Sequence, residues 1–131
     1  MLYSIKQVTE KFHISPHTLR FYTDQDLIPG VVRDENNRRL FNDDALRWLK
    51  TILAFRSTGM SVKMIQSYLE LYKQGDETIP ERYNLLVEQQ RLTKQQLSDL
   101  SQQLEVINEK VRTYYDSIKK IRNIEVESSL S

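Results

Sequence analysis

Ser15-Pro16-His17-Thr18-Leu19-Arg20-Phe21-Tyr22 is the stretch from which the rest of the chain is best read. Ser15 offers a side-chain oxygen to the orphan amides of a helix start, and Pro16 suits a first helical turn. In the helix that follows, Leu19 and Phe21 are expected to face inward, with Thr18, Arg20 and Tyr22 outward. Upstream, Ser4-Ile5-Lys6-Gln7 has the form of a capping box, and Ile5, Val8 and Phe12 recur at helical spacing. That spacing predicts a helix over 5–12. His13-Ile14 supplies a tight turn between the two. Two short helices so joined form a helix-turn-helix, whose second member a DNA major groove accepts.

Leu27-Ile28-Pro29-Gly30 ends the second helix, because proline cannot continue it. Val31-Val32-Arg33 and Arg39-Leu40-Phe41 then flank Asp34-Glu35-Asn36-Asn37-Arg38. Asn36-Asn37 tolerates the left-handed backbone of a hairpin loop, so a short β-hairpin is expected. Arg33, Arg38 and Arg39 decorate it. They could be ordinary surface charges, but directly after a helix-turn-helix they favour phosphate contact.

Asn42-Asp43-Asp44 supplies a cap and an acidic first turn. The next helix packs through Leu46, Leu49, Ile52 and Leu53, with Trp48 read as core packing, and runs to about Thr58. Gly59 stops it, and Ser61 caps a further amphipathic helix carrying Met64, Ile65, Tyr68, Leu69 and Tyr72. Gln74-Gly75-Asp76 breaks that one.

Thr78-Ile79-Pro80-Glu81 looks like another capping box, opening a helix without glycine or proline to about residue 122. Within it Leu97, Leu100, Leu104, Ile107, Val111, Tyr114, Ile118 and Ile121 alternate by three and four. This is a 3.5-residue repeat and marks a coiled-coil seam. At ~1.5 Å per residue the seam is roughly 36 Å long, more than the small N-terminal part can bury. Homodimerisation is the economical answer. Gln90 and Thr93 fall on the same seam upstream, where pairing weakens or changes partner. The flanking positions carry few charges, so electrostatics do not decide between parallel and antiparallel pairing.

The chain has 131 residues, 39% hydrophobic and 28% charged, as expected for a folded soluble protein. No apolar run reaches the ~18 residues of a membrane span and no secretory stretch opens the chain, so a cytoplasmic location is expected. There are no cysteines and only two histidines, His13 and His17. Disulfides, thiolate metal sites and cysteine-based sensing are therefore excluded, and neither a metal nor a cofactor is expected. Residues 1–63 hold ten Lys/Arg against seven Asp/Glu, a net +3, and residues 64–131 nine against eleven, a net −2. The basic excess lies with the proposed reading helix, as a nucleic-acid footprint requires.

The ordered set of words closely resembles the MerR family of transcriptional regulators. Tyr3-Ser4-Ile5 opens it, and Thr18-Leu19-Arg20-Phe21-Tyr22 stands for the family's T-x-R-Y-Y. Leu27-Ile28-Pro29, Arg39-Leu40-Phe41 for the wing's R-x-Y, and Gly59-Met60-Ser61 followed by Ile65 continue it. The resemblance covers residues 1–73 well. Gly75 to Arg82 is similar to the linker of a compact subgroup with only a coiled coil after its DNA-binding domain. It implies a mainly α fold: a winged helix-turn-helix domain with a small β-hairpin wing over 1–74, a linker and dimerising coiled-coil helix over 75–122, and a flexible tail over 123–131.

The resemblance further implies a homodimer joined by an antiparallel coiled coil, bound to a pseudo-palindrome in promoter DNA whose two polymerase elements are too widely spaced. Bending and untwisting that DNA, at an elastic cost of roughly 1–6 kcal/mol, lets RNA polymerase engage both elements. Position by position, it places Thr18, Arg20 and Tyr22 at phosphates or base edges, with Ser15 and His17 nearby. Arg38 and Arg39, beside Arg33, serve the wing, and Ser61 and Lys63 lie where the second wing approaches the backbone.

Two departures stand out. Asn37-Arg38-Arg39 replaces the family's usual Gly-Tyr-Arg, exchanging a ring for a cation. Ala54 stands where thiol-reactive members of the subgroup carry a cysteine, so sensing by that route is excluded. Tyr68, Tyr72, Tyr83, Tyr114, Tyr115 and Trp48 could line an effector pocket, but ordinary packing is the favoured reading. No nucleophile–base pair, phosphate loop or paired carboxylates support an enzyme. An excisionase-like architectural protein would not need the long dimerising helix, and a coiled-coil adaptor would not need the wing arginines.

Overall fold

Each helix in the N-terminal half starts where a side-chain oxygen meets an orphan amide. The computed structural model describes residues 1–130. Ser4 closes a complete capping box with Gln7 at the head of α1 (Ile5–Phe12). Ser15 accepts from the Thr18 amide at the head of α2 (Pro16–Asp24), with Pro16 in the first turn. Asn42 caps α3 (Asp43–Ser57), and Ser61 caps α4 (Val62–Gln74). His13 takes a left-handed conformation at the end of α1, which makes the tight turn of the helix-turn-helix.

The hairpin is present as β2 (Val31–Arg33) and β3 (Arg39–Phe41), with Val32 opposite Leu40. A strand not foreseen from the sequence, β1 (Tyr3–Ser4), adds to the other side of β3. The sheet is antiparallel in the order β1-β3-β2. Two residues carry no alternation signal, and what fixes β1 lies elsewhere. The Asp43 carboxylate near the Tyr3 phenol holds the phenol's pKa above its ordinary value.

Phe41, Leu19, Leu27, Leu49, Ile52, Met60, Ile65 and Val8 are fully buried, so the core draws on α1, α2, β3, α3 and α4 together. Fully burying such a side chain contributes about 1.5–3 kcal/mol. Gly30 sits where this core meets the hairpin. Its φ is +88°, and a Cβ there would lie 2.8 Å from Asn42 Oδ1, the oxygen that caps α3. Any side chain at this position would press on the cap as well as strain the backbone.

A short 3₁₀ turn (Asp76–Thr78) follows α4 and leads into α5 (Ile79–Leu130). The expected capping role of Thr78 is replaced by another. Its buried hydroxyl turns back toward the carbonyls of Leu71 and Gly75, at 2.6 and 2.8 Å. The chain falls into two units, dividing after Gln90. The reason is local: Gln89 is buried and its amide donates to the Thr58 carbonyl at 3.2 Å, holding this part of α5 in the first unit.

From Arg91 onward the second unit is helix alone, and it continues through 123–130, the stretch expected to be a flexible tail. Nothing in Asn123 to Ser129 breaks a helix, and the Ser129 hydroxyl bonds back to the Glu125 carbonyl at 2.8 Å. Residue 131 lies outside the described residues.

Candidate nucleic-acid interface

The phase of α2 decides which of its residues can meet a ligand. Leu19 is fully buried and Tyr22, one turn on, is 8% exposed, whereas Phe21 is 42% exposed. The sequence expectation for the two rings is thus reversed. With Leu19 inward, a residue three places on shares its face, and one two places on does not. Tyr22 is a core residue, and Phe21 stands on the surface beside Arg20 and His17.

The Ser15 hydroxyl, besides capping the helix, donates to Thr18 Oγ1 at 2.9 Å. Ser15 and Thr18 thus fix each other at the mouth of α2. His17 and Arg20 are exposed. Among the described residues Arg20 makes no ion pair, so its guanidinium is available to a ligand.

The wing is stapled by its own loop. One Asp34 carboxylate oxygen accepts from the amides of Asn36 (2.9 Å) and Arg38 (2.8 Å), and the other from the Arg38 guanidinium (3.1 Å). The Arg38 amide, then the Arg38 charge and the Asn36 amide, hold this carboxyl below the usual aspartate range. Arg33 donates to the Asn37 carbonyl at 2.9 Å, and Asn37 takes the left-handed conformation expected of a hairpin loop. Arg38 nevertheless remains largely exposed.

Arg39 behaves differently. Its side chain is only 15% exposed and its guanidinium meets Asp24, the last residue of α2, at 2.5 Å. It ties β3 to the end of α2.

Between wing and helices lies a cleft of about 600 Å³ lined by Lys6, Arg20, Arg33, Arg38 and Arg39, with Asp34 the one acidic side chain. Five cations against one anion make a focused positive concavity of the kind phosphates seek. Lys6 was not singled out by sequence reasoning. Its position two residues after the capping serine, hence in the first turn beside β1, was the available signal. Ser61 caps α4 through the Met64 amide at 3.1 Å, and Lys63 is exposed in its first turn. Neither lines this cleft.

Four further aromatic residues of the first unit pack edge to face, Trp48 with Tyr72 at 4.8 Å and Phe55 with Tyr68 at 5.3 Å. Among the described residues no cluster of His, Asp or Glu is placed to hold a metal ion, and no helix is long and apolar enough to cross a membrane.

Residues 3–71 match the profile of the MerR HTH family regulatory proteins, and residues 46–110 that of the MerR DNA-binding region. An uncharacterized HTH-type transcriptional regulator of Haemophilus influenzae is 36% identical over 95% of this chain and 91% of its own length. The crystal structure of HiNmlR, a MerR family regulator lacking the sensor domain and bound to promoter DNA, is similar with a TM-score of 0.76 at 38% identity. That likeness covers 88% of this chain and 92% of that one. A MerR family transcriptional regulator from Listeria monocytogenes gives a TM-score of 0.81 at 28% identity, over 95% and 98% of the two chains. A winged helix-turn-helix with a cationic cleft, matched in sequence and fold over nearly its whole length, has one reading: the chain belongs to the MerR family of DNA-binding transcriptional regulators.

Proposed function

We propose that this chain acts as an antiparallel homodimer on a pseudo-palindromic promoter site, one α2 and one wing meeting each half-site. Ser15, His17, Thr18 and Arg20 approach the major groove, while Arg33, Arg38 and Lys6 hold phosphates beside it. Ser61 and Lys63 reach the backbone from the head of α4, and Arg39 orients the wing. Most such contacts place the protein and leave sequence selection to a few base edges and to DNA shape. Two linked sites gripping both flanks can sustain a bend and untwist in the DNA between them, through which RNA polymerase gains or loses its two promoter elements.

The observation that carries this reading is the seam. Leu97, Leu100, Leu104, Ile107, Val111, Tyr114, Ile118 and Ile121 are all between 48% and 68% exposed on a single chain. So regular a stripe of apolar surface is a partner interface. The resemblance to a relative captured on promoter DNA supports the other half of the proposal.

Selection of binding sites from random duplexes tests it. A recovered site with dyad symmetry, bent in a circular-permutation gel assay when bound, is the expected result. Recovery of asymmetric or half-length sites only would sink the dimeric operator.

A further inference from the structure

Resting on the placement of α2 in the major groove proposed above, we infer that Phe21 is a specificity-determining residue. It selects a thymine in each half-site through the C5-methyl group of that base. Along α2, Pro16, His17, Arg20, Phe21 and Asp24 are exposed, while Leu19 and Tyr22 are buried. Residues one and four apart are neighbours on a helix, so the five exposed positions form a single stripe. Arg20 and Phe21 are its middle. A helix laid into a groove by this stripe carries a cation and a phenyl ring side by side at its centre.

The ring narrows what can lie beneath it. A phenyl group has no hydrogen bond to give to a phosphate or to a base edge. Laid over the edge of guanine or cytosine, it would strip water from polar groups and leave them unmet. That loss is roughly tenfold or more in affinity for each group. The thymine methyl is the one apolar group that the base pairs present in the major groove, and apolar side chains read it.

Single exposed apolar side chains are ordinary on a protein surface. Two features set Phe21 apart. Its neighbour on the stripe, Arg20, lines the cationic cleft between wing and helices. The ring, 42% exposed, is also propped from below: its centroid lies 6.0 Å from that of buried Tyr22, the two planes tilted by 54°. An aromatic side chain has few torsions, and one leaning on a core ring has little freedom left to lose when DNA binds. Phe21 is thus presented rigidly on the surface that meets the bases.

The test removes the methyl and nothing else. The full chain would be titrated with the duplex recovered by site selection, and with duplexes in which each thymine in turn is replaced by deoxyuridine. The parent is expected to lose about fourfold at one thymine position per half-site, the equivalent of ~0.8 kcal/mol for one buried CH₂-sized group. Replacing both symmetric positions together should cost roughly 15-fold, since distant sites add. Phe21→Ala is expected to bind the thymine and uracil duplexes equally at that position. Phe21→Leu, which keeps an apolar tip, should retain part of the preference. Both variants should match the parent in circular dichroism and unfolding midpoint. A flat uracil scan of the parent overturns the inference. So does a uracil penalty that persists in Phe21→Ala, which would leave the ring a prop for Tyr22 alone. A parent that prefers no selected duplex, or Arg20→Ala binding it unchanged, overturns the placement of α2 itself, and the inference with it.

Discussion

The guanidinium of Arg39 lies 2.5 Å from the carboxylate of Asp24, joining the wing to the last residue of α2 across fifteen positions of sequence. A simple count of charge says that deleting Asp24 should strengthen DNA binding. The contact says the opposite, because an unrestrained wing must be ordered when DNA binds. Asp24→Asn is expected to weaken binding several-fold at fixed salt. Its stability cost is small, roughly 0.2–1 kcal/mol, as for other partly exposed pairs. Tighter binding of Asp24→Asn in an equilibrium titration would instead make Arg39 a phosphate ligand that Asp24 restrains.

Arg20 is the cation of α2 that stands clear of the protein's own carboxylates. Arg20→Ala should leave circular dichroism and the unfolding midpoint unchanged, while binding to the selected duplex falls by about 1–3 kcal/mol if it reads a base. A uniform loss across sequences, with a salt slope shallower by about one, would assign it to a phosphate. The Tyr22→Phe variant, by contrast, is expected to bind DNA nearly as well as the parent, since the ring lies in the core.

Helices, caps and the hairpin were legible because each carries a local signal: Ser4 with Gln7, Ser15 before Pro16, Asn42 before two aspartates, Asn36-Asn37 between apolar pairs. What was not legible depends on phase or on distance in sequence. Phe21 and Tyr22 differ only in which side of Leu19 they fall on, and polarity misled: the phenol looked like the outward ring. The β1 strand, the Arg39–Asp24 pair and the part Lys6 plays in the cleft are products of the fold bringing distant residues together, and no periodicity announces them. Thr78-Ile79-Pro80-Glu81 had the spacing of a capping box, but a buried hydroxyl went to the nearer carbonyls.

The wing should respond to acid through Asp34. Its carboxyl titrates below the ordinary aspartate value of 3.8, so its contribution is fully present above that value and is lost as pH falls below it. The amide resonances of Asn36 and Arg38, the two that donate to this carboxylate, are expected to move together in that acid range. Asp34→Asn should abolish the movement while the amides of the α3 core stay fixed. Identical titration in Asp34→Asn would assign the change to another carboxylate.

Charge placed in the seam should separate the two copies without unfolding the N-terminal unit. Leu104→Glu combined with Val111→Glu is expected to sediment as a monomer. Such a monomer keeps α2 and the wing, so it should still bind a half-site weakly. On the full dyad site it loses the effective concentration that linkage provides, roughly 10²-fold or more. A dimer surviving both substitutions would remove the seam from the interface.

The base of α5 is held by one buried hydroxyl and one guanidinium. Thr78 bonds toward Leu71 and Gly75 and accepts from Arg82 Nε at 3.1 Å, while Arg82 Nη2 donates to the Gly75 carbonyl at 3.2 Å. The same guanidinium lies over the Tyr72 ring at 5.2 Å, and that ring meets Trp48 edge to face. Thr78→Val keeps the shape and removes the hydroxyl, leaving buried groups unmet at about 1–3 kcal/mol. A fall of roughly 5 °C or more in the unfolding midpoint of the N-terminal unit is expected. Thr78→Ser, which restores the oxygen, should recover most of it. Arg82→Lys keeps the charge but loses the fork that spans Thr78 and Gly75 together, so it should fall between the two. An unchanged midpoint in Thr78→Val would leave this junction held by packing alone.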